Sequence, residues 1–344
     1  MPEMVQAASQ NPLLFDSASS RLMGIARLAA LGESLEEHKD VEYFTLPVRS
    51  LLNRCTSSRM PFTWTINPYR GCEFACKYCY ARYTHEFMEM RDGVDFERKI
   101  YVKQQAAWLL RRDLKKVKPG EEIAIGTATD PYQPAERRYE ITRGILEELA
   151  QHAGLELGVV TKSPLVLRDV DVLQKIAERN EVFINLTITT LDAALARILE
   201  PRAPRPDLRL QAVRRLNQAG VPAGVIVAPV VPGITDSPKQ LDQIVRATAE
   251  AGGQYVFANP LFLKPCSASI FLPFLKKEFP HLVKDYEERY ASRAFLPAPY
   301  RKRISNLMAA LRKKHGFESR ERRMDARLPR QYPAPDEVEQ LALF

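Results

Sequence analysis

Gly71-Cys72-Glu73-Phe74-Ala75-Cys76-Lys77-Tyr78-Cys79-Tyr80 puts three cysteines within eight residues, spaced C-x3-C-x2-C, with no fourth cysteine nearby. Thiolates are soft ligands that suit zinc and iron–sulfur clusters. A closed structural zinc site takes four ligands, usually as two separated pairs, and a cubane [4Fe–4S] cluster ordinarily takes four thiolates. Three on one short loop leave one iron of such a cluster without a protein ligand. Two plainer readings compete with it. His85, six residues beyond Cys79, would complete a zinc site, or the three thiols are simply buried. A polar, Gly-containing loop argues against plain burial, and the cluster reading is preferred.

Outward from this loop the chain alternates between strand and helix, as parallel βαβ units do. Phe62–Ile66 is predicted as the first strand, feeding the cysteines. Glu97–Val117 shows helical spacing, with Ile100, Ala107, Leu110 and Leu114 on one side. Later strands are expected at Glu122–Gly126, Leu155–Val160, Val182–Ile188, Ala223–Val227 and Tyr255–Ala258. Helices are expected between them, near Thr142–His152 (capped by Thr142), Asp169–Arg179, Ala193–Leu199, Asp207–Ala219 and Pro238–Ala251. Six such units make the fold class α/β, a partial (β/α)6 TIM-type barrel with an N-terminal extension and a basic helical C-terminal extension. The expected divisions are 1–58 for the N-terminal extension, 59–265 for the barrel and 266–328 for the helical basic region. A Pro-punctuated tail, 329–344, is expected to be partly disordered. Residues 1–45 read as a polar leader with one helical stretch near Arg21–Leu35.

Reactive groups in α/β barrels lie on loops after the C-terminal ends of the strands. Here Cys72, Cys76 and Cys79 follow the first strand, Thr127, Thr129 and Asp130 the second, Lys162 and Ser163 the third, and Thr189 the fourth. Asp130-Pro131 also suits an ordinary turn, and Lys162 also suits a strand-end lysine with its head in water. A lysine beside a ligand carboxylate forms a charge-assisted bond, and the hydroxyls of Thr129, Ser163 and Thr189 can donate or accept. In Glu200–Arg209, Arg202, Arg205 and Arg209 fit either an anionic substrate or a clasp with Glu200 and Asp207.

The cysteine loop, with Tyr78 as the aromatic residue of C-x3-C-x-φ-C, resembles the radical S-adenosylmethionine (radical SAM) superfamily. Asn67-Pro68-Tyr69-Arg70-Gly71-Cys72, Cys79-Tyr80-Ala81-Arg82, Gly126–Glu136, Thr161-Lys162-Ser163, Glu200–Pro204 and Ala228–Asp236 narrow this to the spore photoproduct lyase-related branch, also labelled DNA-repair-photolyase-like. The resemblance spans roughly residues 60–265. It implies a [4Fe–4S] cluster on Cys72, Cys76 and Cys79 and a SAM pocket lined by Tyr78, Tyr80, Thr129, Lys162 and Thr189. It implies reductive cleavage of SAM to a 5′-deoxyadenosyl radical that takes hydrogen from the substrate, with a flavodoxin or ferredoxin as electron donor. One departure stands out. Spore photoproduct lyase carries a cysteine after strand two that returns a hydrogen atom to the thymine radical, whereas here Thr127 stands about there and no cysteine lies between Cys79 and Cys266. Reversal of that photoproduct is therefore not expected unless Cys266 or a tyrosine substitutes. A non-catalytic iron–sulfur electron carrier or metal-binding protein on the same scaffold is the alternative; it would bind metal without SAM.

The bulk composition fits an enzyme of a reducing cytoplasm. The 344 residues are 45% hydrophobic and 27% charged, with a mean hydropathy of −0.28. Five cysteines, three of them in one loop, are no disulfide framework. No basic-then-apolar leader reads as a signal peptide, and no apolar run approaches the length of a membrane span. The net charge of +8 is concentrated: residues 301–330 hold eight Arg and three Lys against Glu318, Glu321 and Asp325. Such a patch suits either nucleic acid, here a candidate substrate, or a solvated helix face.

Overall fold

The computed structural model describes residues 22–38, 40–57, 60–291 and 293–317. Eleven strands occur among them: β1 Ser34–His38, β2 Val41–Thr45, β3 Leu52–Arg54, β4 Trp64–Ile66, β5 Tyr69–Arg70, β6 Lys99–Val102, β7 Glu122–Ile125, β8 Glu156–Thr161, β9 Glu181–Thr187, β10 Ala223–Val230 and β11 Val256–Pro260. β4, β7, β8, β9, β10 and β11 run parallel in that spatial order. β3 adds an antiparallel edge beside β4. Among the described residues the sheet does not close, so the fold is the expected partial (β/α)6 barrel.

Alternation within each strand builds the layers. In β9, Val182, Ile184 and Leu186 are buried while Phe183 and Asn185 are only partly so. The buried set packs with Ile123, Ile125, Leu157, Val159, Val225 and Val227 against Ile145, Leu149, Leu173, Ile176, Val213, Leu216, Leu241 and Ile244 of the outer helices. This leaves Gly158, Val160, Phe183, Asn185 and Ile226 on the concave face, where β-strand side chains of opposite parity must point. A second apolar cluster lies over the C-terminal ends of the strands. There Phe271 and Leu275 of helix Pro265–Glu278 and Tyr286 of helix Val283–Tyr290 pack with Cys72, Cys76 and Tyr78.

Three local expectations are corrected. The single helix expected over Glu97–Val117 is broken: the short helix Asp95–Arg98 and the helix Ala106–Asp113, which a 3-10 turn continues over Leu114–Lys116, are separated by strand β6, Lys99–Val102. Ile100, Tyr101 and Val102 are β-branched or aromatic and buried, and pairing with β2 on one side and β5 on the other outweighs their helical spacing. The polar leader contains helix Gly24–Ala30 but continues into the antiparallel hairpin β1–β2, which buries Val41 and Tyr43. Thr142 does not cap its helix. Its Oγ1 donates to Pro131 O, and the Glu136 carboxylate instead receives the Thr142 and Arg143 amides at 2.8 and 3.1 Å. A carboxylate at that end also suits the helix dipole.

The segment before the barrel is fastened by one carboxylate. Asp113, fully buried at the end of helix Ala106–Asp113, accepts from Ser50 Oγ (2.6 Å), the Leu51 amide (2.7 Å) and Lys116 Nζ (2.7 Å). Burial alone would raise its pKa, but these donors and the Leu52 amide outweigh burial and hold it at about 2. Against an unfolded value near 3.9 this is worth about 2.5 kcal/mol. That stabilisation is complete above about pH 4 and is lost as pH falls through about 2. Asp113→Asn should therefore melt lower than the parent by a constant gap from about pH 7 to pH 5, narrowing below about pH 4. A gap independent of pH down to 3 would refute the assignment.

At the C-terminal end, helix Ala298–Lys314 packs on helix Pro238–Glu250 and β11. Two of its cations are paired, Arg303 with Asp236 and Lys314 with Asp242 (2.7 and 2.8 Å). The basic run beyond residue 317 and the tail 329–344 lie outside the described residues. No helix among the described residues is long and apolar enough to cross a membrane.

Candidate functional site

The cysteine loop begins where Gly71 turns the chain with φ +84°. A Cβ there would lie 2.6 Å from Lys99 O, so only glycine passes. The loop is held by backbone bonds: Cys72 N–H to Phe96 O (2.8 Å), Lys77 N–H to Leu199 O (2.9 Å) and Cys79 N–H to Cys76 O (3.2 Å). All three thiols are free, Cys72 and Cys76 buried and Cys79 partly so.

Side chains from distant segments complete the brace. Gln133 accepts from the Glu73 amide (3.0 Å) and donates to Gly71 O (3.1 Å) and Thr129 Oγ1 (2.9 Å). The buried Glu73 carboxylate accepts from Tyr43 Oη (3.1 Å) and the Ala135 amide (2.8 Å). Ser267 donates to Cys79 O (2.9 Å) from the first turn of helix Pro265–Glu278. Glu73, Gln133, Tyr43 and Ser267 escaped the sequence reading. Glu73 lies inside the motif and had the one available signal, an acidic residue in an otherwise apolar interval.

The electrostatics around the thiols have identifiable sources. Burial pushes Cys72 well up, aided by Asp130 and the neighbouring cysteines. It pushes Cys76 to about 12 against the opposing charge of Lys162, and raises Cys79 against the opposing charge of Arg82. Lys162 Nζ lies 5.7 Å from the Tyr78 ring centre. Burial disfavours its charge, but Cys76 and Glu200 outweigh burial and hold it above the usual lysine range.

The expected pocket residues separate by role. Tyr78 and Thr189 hydroxyls, 3.0 Å apart, both donate to Glu200 Oε1, and Glu200 Oε2 meets Arg209 Nη2 at 2.5 Å. Arg209 and Glu200 are 1% and 2% exposed, so for this pair the clasp reading holds. Arg205 pairs with Asp207 at 3.0 Å, also as the clasp reading has it, whereas Arg202 lies 4.0 Å from Asp40. Thr129 donates to Gly71 O (2.6 Å) and bears on the loop. Asp130 accepts from Thr161 Oγ1, the Lys162 amide and the Tyr132 amide (2.6, 2.7 and 2.9 Å), lashing the ends of β7 and β8 together. Ser163 caps the turn Pro164–Asp169. Tyr80 donates to Thr127 O.

His85 is a core residue. It is 1% exposed, its Nε2 sits 3.1 Å from Lys99 O, its ring meets Phe96 edge-on, and burial lowers its pKa to about 4. Among the described residues no three His, Cys, Asp or Glu side chains converge to hold a single ion. A cubane makes no such demand, because each thiolate binds its own iron. Three free thiols on one loop with cations at their flanks fit that donor set.

Beside the loop lies a cavity of about 50 Å³, lined by Cys55, Asn67, Arg70, Tyr80, Tyr83, Lys103 and Thr127 among others. Lys103 is 4% exposed and donates to Asn67 O at 2.6 Å; burial and the nearby Arg70 charge hold it at about 7. Nothing in the sequence set Lys103 apart from a solvated lysine.

The family model described as the radical SAM superfamily matches residues 66–245. An uncharacterized protein of Mycobacterium tuberculosis (strain ATCC 25618 / H37Rv) is 33% identical over 337 residues, 97% of this chain and 95% of that one. An uncharacterized protein of Methanocaldococcus jannaschii is 28% identical over 233 residues, 68% of this chain and 83% of that one. Among solved structures, spore photoproduct lyase complexed with dinucleoside spore photoproduct superposes with a TM-score of 0.60 at 15% identity, covering 79% of each chain. At that identity the likeness establishes the shared fold.

Proposed function

The chain belongs to the radical SAM superfamily, and on that premise we propose that it cleaves S-adenosylmethionine reductively at a [4Fe–4S] cluster held by Cys72, Cys76 and Cys79. When bound, the cluster supplies one electron to the sulfonium of SAM, giving the 5′-deoxyadenosyl radical that abstracts hydrogen from the substrate. A low-potential carrier such as a flavodoxin or ferredoxin is proposed as the electron source.

The protein's own part is positioning and exclusion of water. Lys162 supplies a cation for the SAM carboxylate. Tyr78, Tyr80, Thr129 and Thr189 form the pocket walls, Thr129 by bracing Gly71 and Thr189 by anchoring to Glu200. Phe271, Leu275 and Tyr286 pack over the loop and keep solvent from the reacting atoms. The observation that carries this reading is the set of three free thiols on one braced loop after the first parallel strand.

The reading is tested anaerobically by reconstitution with iron and sulfide, reduction with dithionite, addition of SAM and chromatography for 5′-deoxyadenosine. Its formation is the expected result. A stable cluster that neither binds nor cleaves SAM would transfer the protein to the electron-carrier class. A nucleic-acid substrate rests on the C-terminal charge and on the resemblance to the spore photoproduct lyase-related branch, and in helix Ala298–Lys314 part of that charge is already paired.

A further inference from the structure

Three Lys and Arg side chains among the described residues are fully buried: Arg82, Lys103 and Arg209. Arg82 meets the Glu97 carboxylate at 3.0 Å and Arg209 meets Glu200. Among the described residues Lys103 meets no carboxylate; its hydrogen bond goes to a carbonyl, Asn67 O. Arg70, the second cation on the same cavity, likewise donates to a carbonyl, Thr84 O, at 3.0 Å. Burial and the Arg70 charge lower the Lys103 pKa to about 7, and among the described residues neither cation has a carboxylate partner.

A buried charge without a counter-charge is expensive, and two like charges sharing a cavity compound the cost. We propose that the cavity seats an oxyanion carried by the substrate, a phosphate or carboxylate group held between Lys103 and Arg70. The two donors are complementary, a compact ammonium and a planar guanidinium fork. The volume of about 50 Å³ suits a single such group, since one water occupies roughly 10–15 Å³ on this measure. The location fits as well. Asn67 and Thr127 place the cavity at the C-terminal ends of β4 and β7, and Tyr80 and Tyr83 place it at the exit of the cysteine loop. An anion fixed there tethers the rest of the substrate beside the reacting centre, as remote binding groups do. Lys162, which has Glu200 for counter-charge, is left to SAM.

Calling the ligand a substrate rests on the function proposed above; the anion site itself does not. The test uses the full-length protein without cluster. Melting temperature is followed against inorganic phosphate and against acetate, each at ionic strength matched with chloride. One or both should raise the melting temperature saturably, as ligand linkage requires. A phosphate preference identifies a phosphate ester as the substrate group, and an acetate preference a carboxylate. Lys103→Met and Arg70→Gln should each weaken that response at least about tenfold. In anion-poor buffer Lys103→Met should melt no lower than the parent, because it removes an unmatched buried charge. The proposal is overturned if neither anion gives a saturable shift, if the shift survives both substitutions, or if Lys103→Met melts clearly lower without anion. SAM cleavage by the reconstituted parent protein is measured in parallel. Anion binding without SAM cleavage sinks the enzymatic reading alone, and cleavage without anion binding sinks this one alone.

Discussion

Cys76→Ala should lose cluster loading and 5′-deoxyadenosine formation together, beyond the roughly 10–100-fold that removal of an outer partner costs a metal site. The substitution deletes one sulfur and little else. The backbone around it is held independently, by Lys77 N–H on Leu199 O and by Arg82 Nη2 on Cys76 O at 3.1 Å. Far-UV circular dichroism and the melting temperature of the cluster-free protein should therefore change little. Iron and sulfide content after reconstitution, with the visible absorbance of the cluster, report the first loss; chromatography reports the second. SAM cleavage that persists in Cys76→Ala would remove the loop from the chemistry.

Arg209→Leu should destabilise the fold by about 3–5 kcal/mol, because it strands the Glu200 carboxylate in the interior. The corresponding fall in melting temperature is about 4–7 °C. Glu200 accepts from Tyr78 and Thr189 as well, so the damage reaches the cysteine loop. The double change Glu200→Gln with Arg209→Leu should be milder than the sum of the single changes, since it removes both charges. Calorimetry of the three variants settles this. Had Arg209 served an anionic substrate instead, Arg209→Leu would leave the melting temperature near that of the parent and act on substrate binding.

The parts of the fold that could be read in the chain are those set by local pattern. β9 alternates from Glu181 to Leu186, and helix Ala193–Leu199 lies where its spacing put it. The order of the parallel strands followed because consecutive βαβ units pack as neighbours. What escaped depends on partners far along the chain. Lys99–Val102 is a strand because β2 and β5 flank it; by itself the segment satisfies a helical period. The cap supplied by Glu136, the Glu73–Gln133 brace and the Lys103 cavity are contacts in space with no local signature. EPRAPRPDLR suited a ligand site and a clasp equally until burial of Arg209 against Glu200 separated the two. The three cysteines stood out because spacing along the chain alone marks them.

The mooring of the cysteine loop bears on when a cluster can be installed. Its ties reach back to Tyr43 and forward to Gln133 and Ser267, so the three thiols take up their final arrangement only after segments from both ends of the barrel have come together. During synthesis, a chain that has emerged as far as helix Pro238–Glu250 already owns every thiol of the loop yet still lacks the tie to Cys79. Loading of the proposed cluster would then follow the emergence of Ser267, and a chain ended before it would carry the motif without that tie.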